Sequence, residues 1–159
     1  MIAAASELAA AVTLRRARRD DCEAIWRWNF APEVRARSRR AEAVAFAEHE
    51  RWFVRRLADA EAPIWVIDED HQPVGVVRLD PPGPGGRGRA RISIALAATA
   101  RGRGLGKAAI AAACRAWHGP IIAEIFADNR ASWSCFEACG FRAAGTDDDL
   151  LTYHWDPET

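Results

Sequence analysis

Arg101-Gly102-Arg103-Gly104-Leu105-Gly106-Lys107 is the densest run of residues in this chain that are suited to chemistry. Glycines on alternate positions leave backbone N–H groups uncovered by side chains. Arg101, Arg103 and Lys107 add positive charge at the same place. An apolar, strand-like run (residues 92–96) precedes the segment, and an Ala-rich, helix-like run (105–117) follows it. A glycine-rich turn feeding a helix N-terminus favours an anion, because its amides lack partners and the helix dipole is positive there. Phosphate or pyrophosphate is the natural ligand.

Two phosphate motifs fail on residues that carry mechanism. A P-loop places four residues between Gly and Gly-Lys-Ser/Thr. Only three residues separate Gly102 from Gly106-Lys107, and Ala108 replaces the hydroxyl that would hold magnesium. The dinucleotide pattern needs G-x-G-x-x-G inside a βαβ unit, whereas this run reads G-x-G-x-G. By itself the run also reads as an arginine-glycine surface loop with no ligand.

The elements that must position this loop follow from composition and periodicity. With 159 residues, half of them apolar and 28% charged, the chain suits one globular domain over 1–159. Zero formal net charge gives no bulk electrostatic case for nucleic acid or membrane. Cys22, Cys114, Cys135 and Cys139 make no zinc spacing and read as small apolar residues in a reducing cytoplasm; no metal is expected. Residues 1–11 read as a flexible extension without the basic start of a signal peptide.

Residues 12–17 read as a strand. A helix capped by Asp20 or Asp21 follows, carries Cys22, Ile25, Trp26 and Asn29 on one face, and ends near Pro32. A basic loop (35–40) leads to a second helix, 42–59, with Ala45, His49, Trp52, Phe53 and Leu57 on its apolar stripe. Strands at 64–67 and 73–80 form a hairpin, and a Pro/Gly breaker (81–88) precedes a strand at 89–96. After the anion loop come a helix (105–117), a strand (121–127), a helix (130–139) that Gly140 ends, and strands at 141–146 and 150–155.

The resulting order, β-α-α-β-β-β-α-β-α-β-β, resembles that of the GNAT superfamily of N-acetyltransferases. Arg101, Gly104 and Gly106 fill that family's Arg/Gln-x-x-Gly-x-Gly/Ala loop. Asn129, Ser132, Phe136 and Gly140-Phe141 resemble its Asn…Tyr…Gly-Phe segment. The resemblance implies an α/β (α+β) fold with one mixed, twisted sheet of about seven strands flanked by four helices.

It also implies acetyl-CoA as co-substrate. Arg101, Gly102, Arg103, Gly104, Leu105, Gly106 and Lys107 would hold its pyrophosphate. Ile94, Ala95 and Leu96 would meet its pantetheine arm and the reacting carbonyl, and Asn129, Ser132 and Phe136 would line the arm. The acceptor amine is an ammonium at neutral pH, so a base must remove a proton. Glu124, an acid inside an apolar strand, is the first candidate; the alternative is a carboxylate that points outward or pairs with an arginine. His49 is the second candidate; the alternative is a hydrogen-bonded core histidine. Phe136 stands where the family often has the Tyr that protonates the leaving thiolate. The alternatives are Ser134, a water or Tyr153 as the donor, or unassisted departure of a thiol with a pKa near ~8.5.

In the first half, Trp28…Pro32-Glu33-Val34-Arg35 and Glu48-His49-Glu50-Arg51-Trp52-Phe53 resemble the branch that acetylates UDP-linked 4-amino-6-deoxy sugars in pseudaminic acid biosynthesis. On that resemblance Trp28, Asn29, Arg35, His49, Trp52 and Arg78 would contact the acceptor. Asn29-Phe30 follows Trp28 where the branch has Arg-Asn. The ribosomal-protein, peptide and antibiotic acetyltransferases are the neighbouring reading. A non-catalytic CoA-binding module is the rival from another class, and an RNA-binding arginine-glycine protein the weakest. A homodimer is an open expectation.

Overall fold

The computed structural model describes residues 11–38, 42–83 and 88–158. Residues 1–10 of the expected extension, part of the basic loop (39–41) and part of the breaker (84–87) lie outside the described residues.

Seven strands form one mixed sheet in the order β1-β2-β3-β4-β5-β7-β6. They are β1 (Val12–Arg16), β2 (Ile64–Glu69), β3 (Gln72–Asp80), β4 (Ala90–Leu96), β5 (Ile121–Phe126), β6 (Arg142–Asp147) and β7 (Leu150–Trp155). Among the described residues five helices flank it: α1 (Cys22–Asn29), α2 (Pro32–Arg35), α3 (Phe46–Leu57), α4 (Leu105–Trp117) and α5 (Arg130–Ala138).

Alternation along the strands divides two cores between the faces of the sheet. Trp65, Ile67, Val77, Leu79, Ile92, Ile121, Ala123 and Ile125 pack with Leu105, Ala109, Ile110 and Ala113 of α4. The small α4 residues let that helix approach the sheet closely, and Phe136 of α5 joins them. Ile64, Val66, Val76 and Ala95 face the other way, against Cys22 and Ile25 of α1 and Phe53 of α3.

One helix and one helix boundary differ from the sequence expectation. Pro32 lies just beyond α1, as expected, but it also opens the one-turn helix α2, since its fixed φ and missing N–H suit a first helical position. This makes a fifth helix where four were expected. The second long helix starts at Phe46, four residues later than expected, with Ala45 still extended at ψ 145°. Trp26 Nε1 donates to the Val44 carbonyl at 2.8 Å, which holds the approach to α3 against α1. Asp21 precedes α1 as expected, but its carboxylate accepts from Arg15 at 2.8 and 2.9 Å and makes no cap bond to α1.

Every neighbouring strand pair is antiparallel except β4 and β5. That parallel ladder pairs Ala90 with Ile121 and Arg91 with Ile122, then stops. The two strands part beyond it and leave a V-shaped gap that widens toward Leu96. Gly75 is required on the far side of β4: a Cβ there would lie 2.6 Å from the Ala95 carbonyl oxygen and 2.8 Å from Leu96 Cδ2.

Candidate functional site

Backbone parity shows which β4 groups line the gap. The Ala90 amide donates across to the Pro120 carbonyl, next to β5, whereas the Ala97 amide donates to Val74 on the β3 side. The β3–β4 register runs unbroken from Arg91 to Leu96. With a period of two, Ile92, Ile94 and Leu96 aim their amides and carbonyls into the gap, and Ala95 aims its own at β3. The Leu96 carbonyl accepts from Arg101 at 3.1 Å, consistent with that direction.

At the open end, a turn at Ala98–Ala100 leads into the anion loop. Gly102 and Gly104 have φ of 75° and 81°, a left-handed backbone that side chains rarely adopt. Gly104 is the N-cap of α4, and no side chain caps that helix. The first amides of α4 thus face the gap's mouth without a side-chain acceptor. A thirteen-residue helix with its positive dipole end at a glycine-lined turn suits a diphosphate.

The three cations of the loop are placed differently. Arg101 donates to Glu33 Oε1 at 3.1 Å as well as to Leu96. Arg103 forms a bidentate pair with Glu69, 3.0 Å on each arm, which pins the loop to the end of β2. Lys107 is exposed on the first turns of α4. Asn129, the N-cap of α5, accepts from Arg37 at 3.0 Å through Oδ1. Ser132 lies half-buried in the first turn of α5.

Phe136 is 3% exposed, in the core against Phe141, with ring centroids 4.9 Å apart. Tyr153 is 4% exposed, and its hydroxyl donates to Glu137 Oε1 at 2.9 Å. Burial first, and then Glu137, raise its pKa above the ordinary tyrosine value. Tyr153 therefore lies on the α4–α5 face of the sheet.

On the opposite face, the alternation of β5 sends Ile122, Glu124 and Phe126 toward the side of α1 and α3. Glu124 Oε1 accepts from Arg91 at 2.9 Å. Arg91 belongs to the last paired position before the strands part, so this ion pair spans the vertex of the gap. Glu124 is thus paired with an arginine, the alternative that the sequence sets beside a catalytic base.

His49 is 2% exposed. Its ring contacts Phe30, Phe46, Trp52 and Phe53, and its Nε2–H donates to the Cys22 carbonyl at 3.1 Å. Burial, opposed by that hydrogen bond, holds its pKa below the ordinary histidine value. It ties α3 to the first residue of α1. Trp28 packs at the edge of the same core, and Asn29 closes α1 half-buried.

Two guanidiniums lie near the Trp52 ring, Arg56 at 5.3 Å and Arg78 at 5.2 Å from its centroid, and both pair with Asp80. Arg35 lies 4.6 Å over Phe30. Burial first, and the nearby charge of Arg78 second, lower the Arg35 pKa from its ordinary value.

Arg91, Glu33, Arg37 and Glu69 were not singled out from the sequence as site residues. Period-two parity would have placed Arg91 on the Glu124 face. The others reach their partners across the chain and carry no local signal. Among the described residues, no group of three or more His, Cys, Asp or Glu is arranged to hold a metal. No described helix is long and apolar enough to cross a membrane.

No curated protein matches this chain. Solved structures match its fold closely. The ribosomal-protein-alanine N-acetyltransferase of Brucella melitensis superposes with TM-score 0.71 at 24% identity, over 91% of this chain and 99% of that one. The spermidine N-acetyltransferase of Vibrio cholerae, solved with CoA and spermine, gives 0.77 at 19% identity over 91% and 94%. The Salmonella typhimurium protein yncA, solved with its cofactor acetyl-CoA, gives 0.72 at 21% identity over 92% and 94%. Residues 11–142 match the acetyltransferase (GNAT) domain family, so the chain belongs to that family, as an N-acetyltransferase.

Proposed function

We propose that this enzyme transfers the acetyl group of acetyl-CoA to a primary amine on an anionic acceptor, of the class of nucleotide-linked 4-amino sugars. The observation that carries the acceptor class is the placement of Arg35 over Phe30 and Arg78 over Trp52, two rings that both contact His49, with Arg78 also paired to Asp80 at 3.3 Å. Two guanidiniums backed by the Phe30 and Trp52 rings attract a phosphate bidentately and repel a polycation. Spermidine and aminoglycosides, the substrates named for several fold neighbours, are polyamines with the opposite charge.

The chain's own groups supply the steps. Amides at the start of α4 bind the pyrophosphate, and Lys107 adds charge beside them. The Glu124 carboxylate takes a proton from the acceptor ammonium, directly or through one water. The freed amine attacks the thioester carbonyl. An amide of Ile94 or Leu96, aimed into the gap, donates to the oxygen that gains charge, a contact typically worth about 2.7–4 kcal/mol. The carbon–sulfur bond breaks, the thiolate leaves, and the second proton on the nitrogen passes to the thiolate or to water, giving the neutral amide and CoA. With Phe136 in the core and Tyr153 bonded to Glu137, departure proceeds without a tyrosine proton, as a thiol pKa near ~8.5 permits. His49 acts by fixing α3 on α1, which shapes the wall that Trp28, Trp52 and Arg78 present to the acceptor.

The test is CoA thiol release from acetyl-CoA over a panel of amino-sugar nucleotides, polyamines, aminoglycosides and N-terminal peptides. Turnover is expected on the amino-sugar nucleotides, with KM raised at least tenfold in Arg78→Ala. Turnover confined to polyamines or peptides overturns the acceptor class. Acetyl-CoA binding with no turnover on any amine supports the non-catalytic module instead.

A further inference from the structure

The segment 32–37 crosses the mouth of the gap and grips both of its sides. Glu33, on α2, pairs with Arg101 at 3.1 Å, in the loop that follows β4. Arg37, just after α2, donates to Asn129 at 3.0 Å, in the turn that follows β5. The parting strands are thereby reconnected at their open end through one short segment. A Pro at the first position of α2 and hydrogen bonds donated by the Val34, Arg35 and Ala36 amides to the Ala31 and Pro32 carbonyls hold that segment as a single helical turn.

Both grips fall on residues of the cofactor loop and the arm-lining turn. Arg101 presents one guanidinium edge to a carboxylate where a pyrophosphate carries like charge. We infer that segment 32–37 is a latch closed over the cofactor gap. Glu33 competes with the cofactor's pyrophosphate for Arg101, and acetyl-CoA entry breaks the Glu33–Arg101 pair. This inference rests on the proposal that loop 101–107 holds the pyrophosphate.

The geometry has a consequence of definite sign. Removing the Glu33 charge removes a competitor, so acetyl-CoA must bind more tightly. The pair is exposed at both ends, 37% for Arg101 and 51% for Glu33, so the gain is modest, about twofold to fivefold. It must also depend on Arg101.

The experiment is calorimetric titration of the full chain with acetyl-CoA, using Glu33→Gln, Arg101→Gln and the double variant. The latch predicts tighter binding in Glu33→Gln, weaker binding in Arg101→Gln, and no gain from Glu33→Gln once Arg101 is gone, a coupling that the double-variant cycle isolates. Unchanged or weakened binding in Glu33→Gln, with Arg101→Gln still weakened, overturns the latch and leaves the loop reading intact. Wild-type affinity in Arg101→Gln overturns both. An equal gain from Glu33→Gln in either background also overturns the latch, since the effect would be general charge and not competition for one guanidinium.

Discussion

Glu124 illustrates how one side chain acquires a role from its neighbours. An acid in an apolar strand must be satisfied, and Arg91 meets it at the one place where β4 and β5 still touch. The pair holds the carboxylate at the vertex of the gap, on the face opposite α4 and α5. On the proposed mechanism it takes the ammonium's proton, whereas Tyr153 is 4% exposed and bonded to Glu137. Glu124→Gln keeps the size of the side chain and removes its basicity. Its kcat should fall by about 10²–10⁴, the usual span for a general base, with acetyl-CoA affinity unchanged by calorimetry. A fall of less than tenfold at full occupancy of both substrates would assign the proton to another acceptor.

At the scale of elements, the sequence was most legible where a local rule is strong. Gly102, Gly104 and Gly106 announced a turn opening a helix, and the apolar runs of β4 and β5 announced strands. Boundaries set by contacts between distant segments were not legible. The late start of α3 depends on Trp26 reaching the Val44 carbonyl, and α2 depends on Pro32 beginning a turn that is then held from outside. His49 could be placed on the apolar stripe of α3, but its partner, the Cys22 carbonyl, belongs to another helix. That contact gives the α1–α3 pair a pH dependence. Burial disfavours the charged ring, so its folded pKa lies below the unfolded value of 6.5. The unfolded chain then binds the proton more readily. The stability that neutral His49 contributes is whole above 6.5 and is lost as pH falls below that value toward the folded pKa. Wild-type Tm should decline from pH 7.5 to 5.5 by up to about 2–4 °C per pH unit from this one group. The slope should be shallower in His49→Phe, although its Tm at pH 7.5 is lower; parallel slopes would mean that other groups set the acid limb.

For the molecule as a whole, the notable feature is a sheet almost divided in two. Strands β1–β4 and β5–β7 share two ladder pairs, and α4 with its loop, the Arg91–Glu124 pair and the Glu33 and Arg37 grips provide further ties. The helices divide by face and not by half: α1 and α3 pack on one face of β2–β4, whereas α4 packs on the other face against strands of both halves. A seven-strand order with a parallel step follows from the order of elements, but where that step parts is a matter of three-dimensional packing that periodicity does not contain. A ligand lying in the gap touches both halves and binds only when they are correctly placed, so its binding energy adds to folding stability. At a hundred times its Kd, acetyl-CoA should stabilise the fold by about 2.7 kcal/mol, which for a chain of this size raises Tm by roughly 5–10 °C. Gly104→Asp puts a carboxylate and a strained backbone at the start of α4, where φ is 81°. Thermal scans of that variant at the same acetyl-CoA concentration should show little or no shift. A shift as large as the wild type's would mean that the cofactor draws its affinity from elsewhere in the gap and not from the amides of this loop.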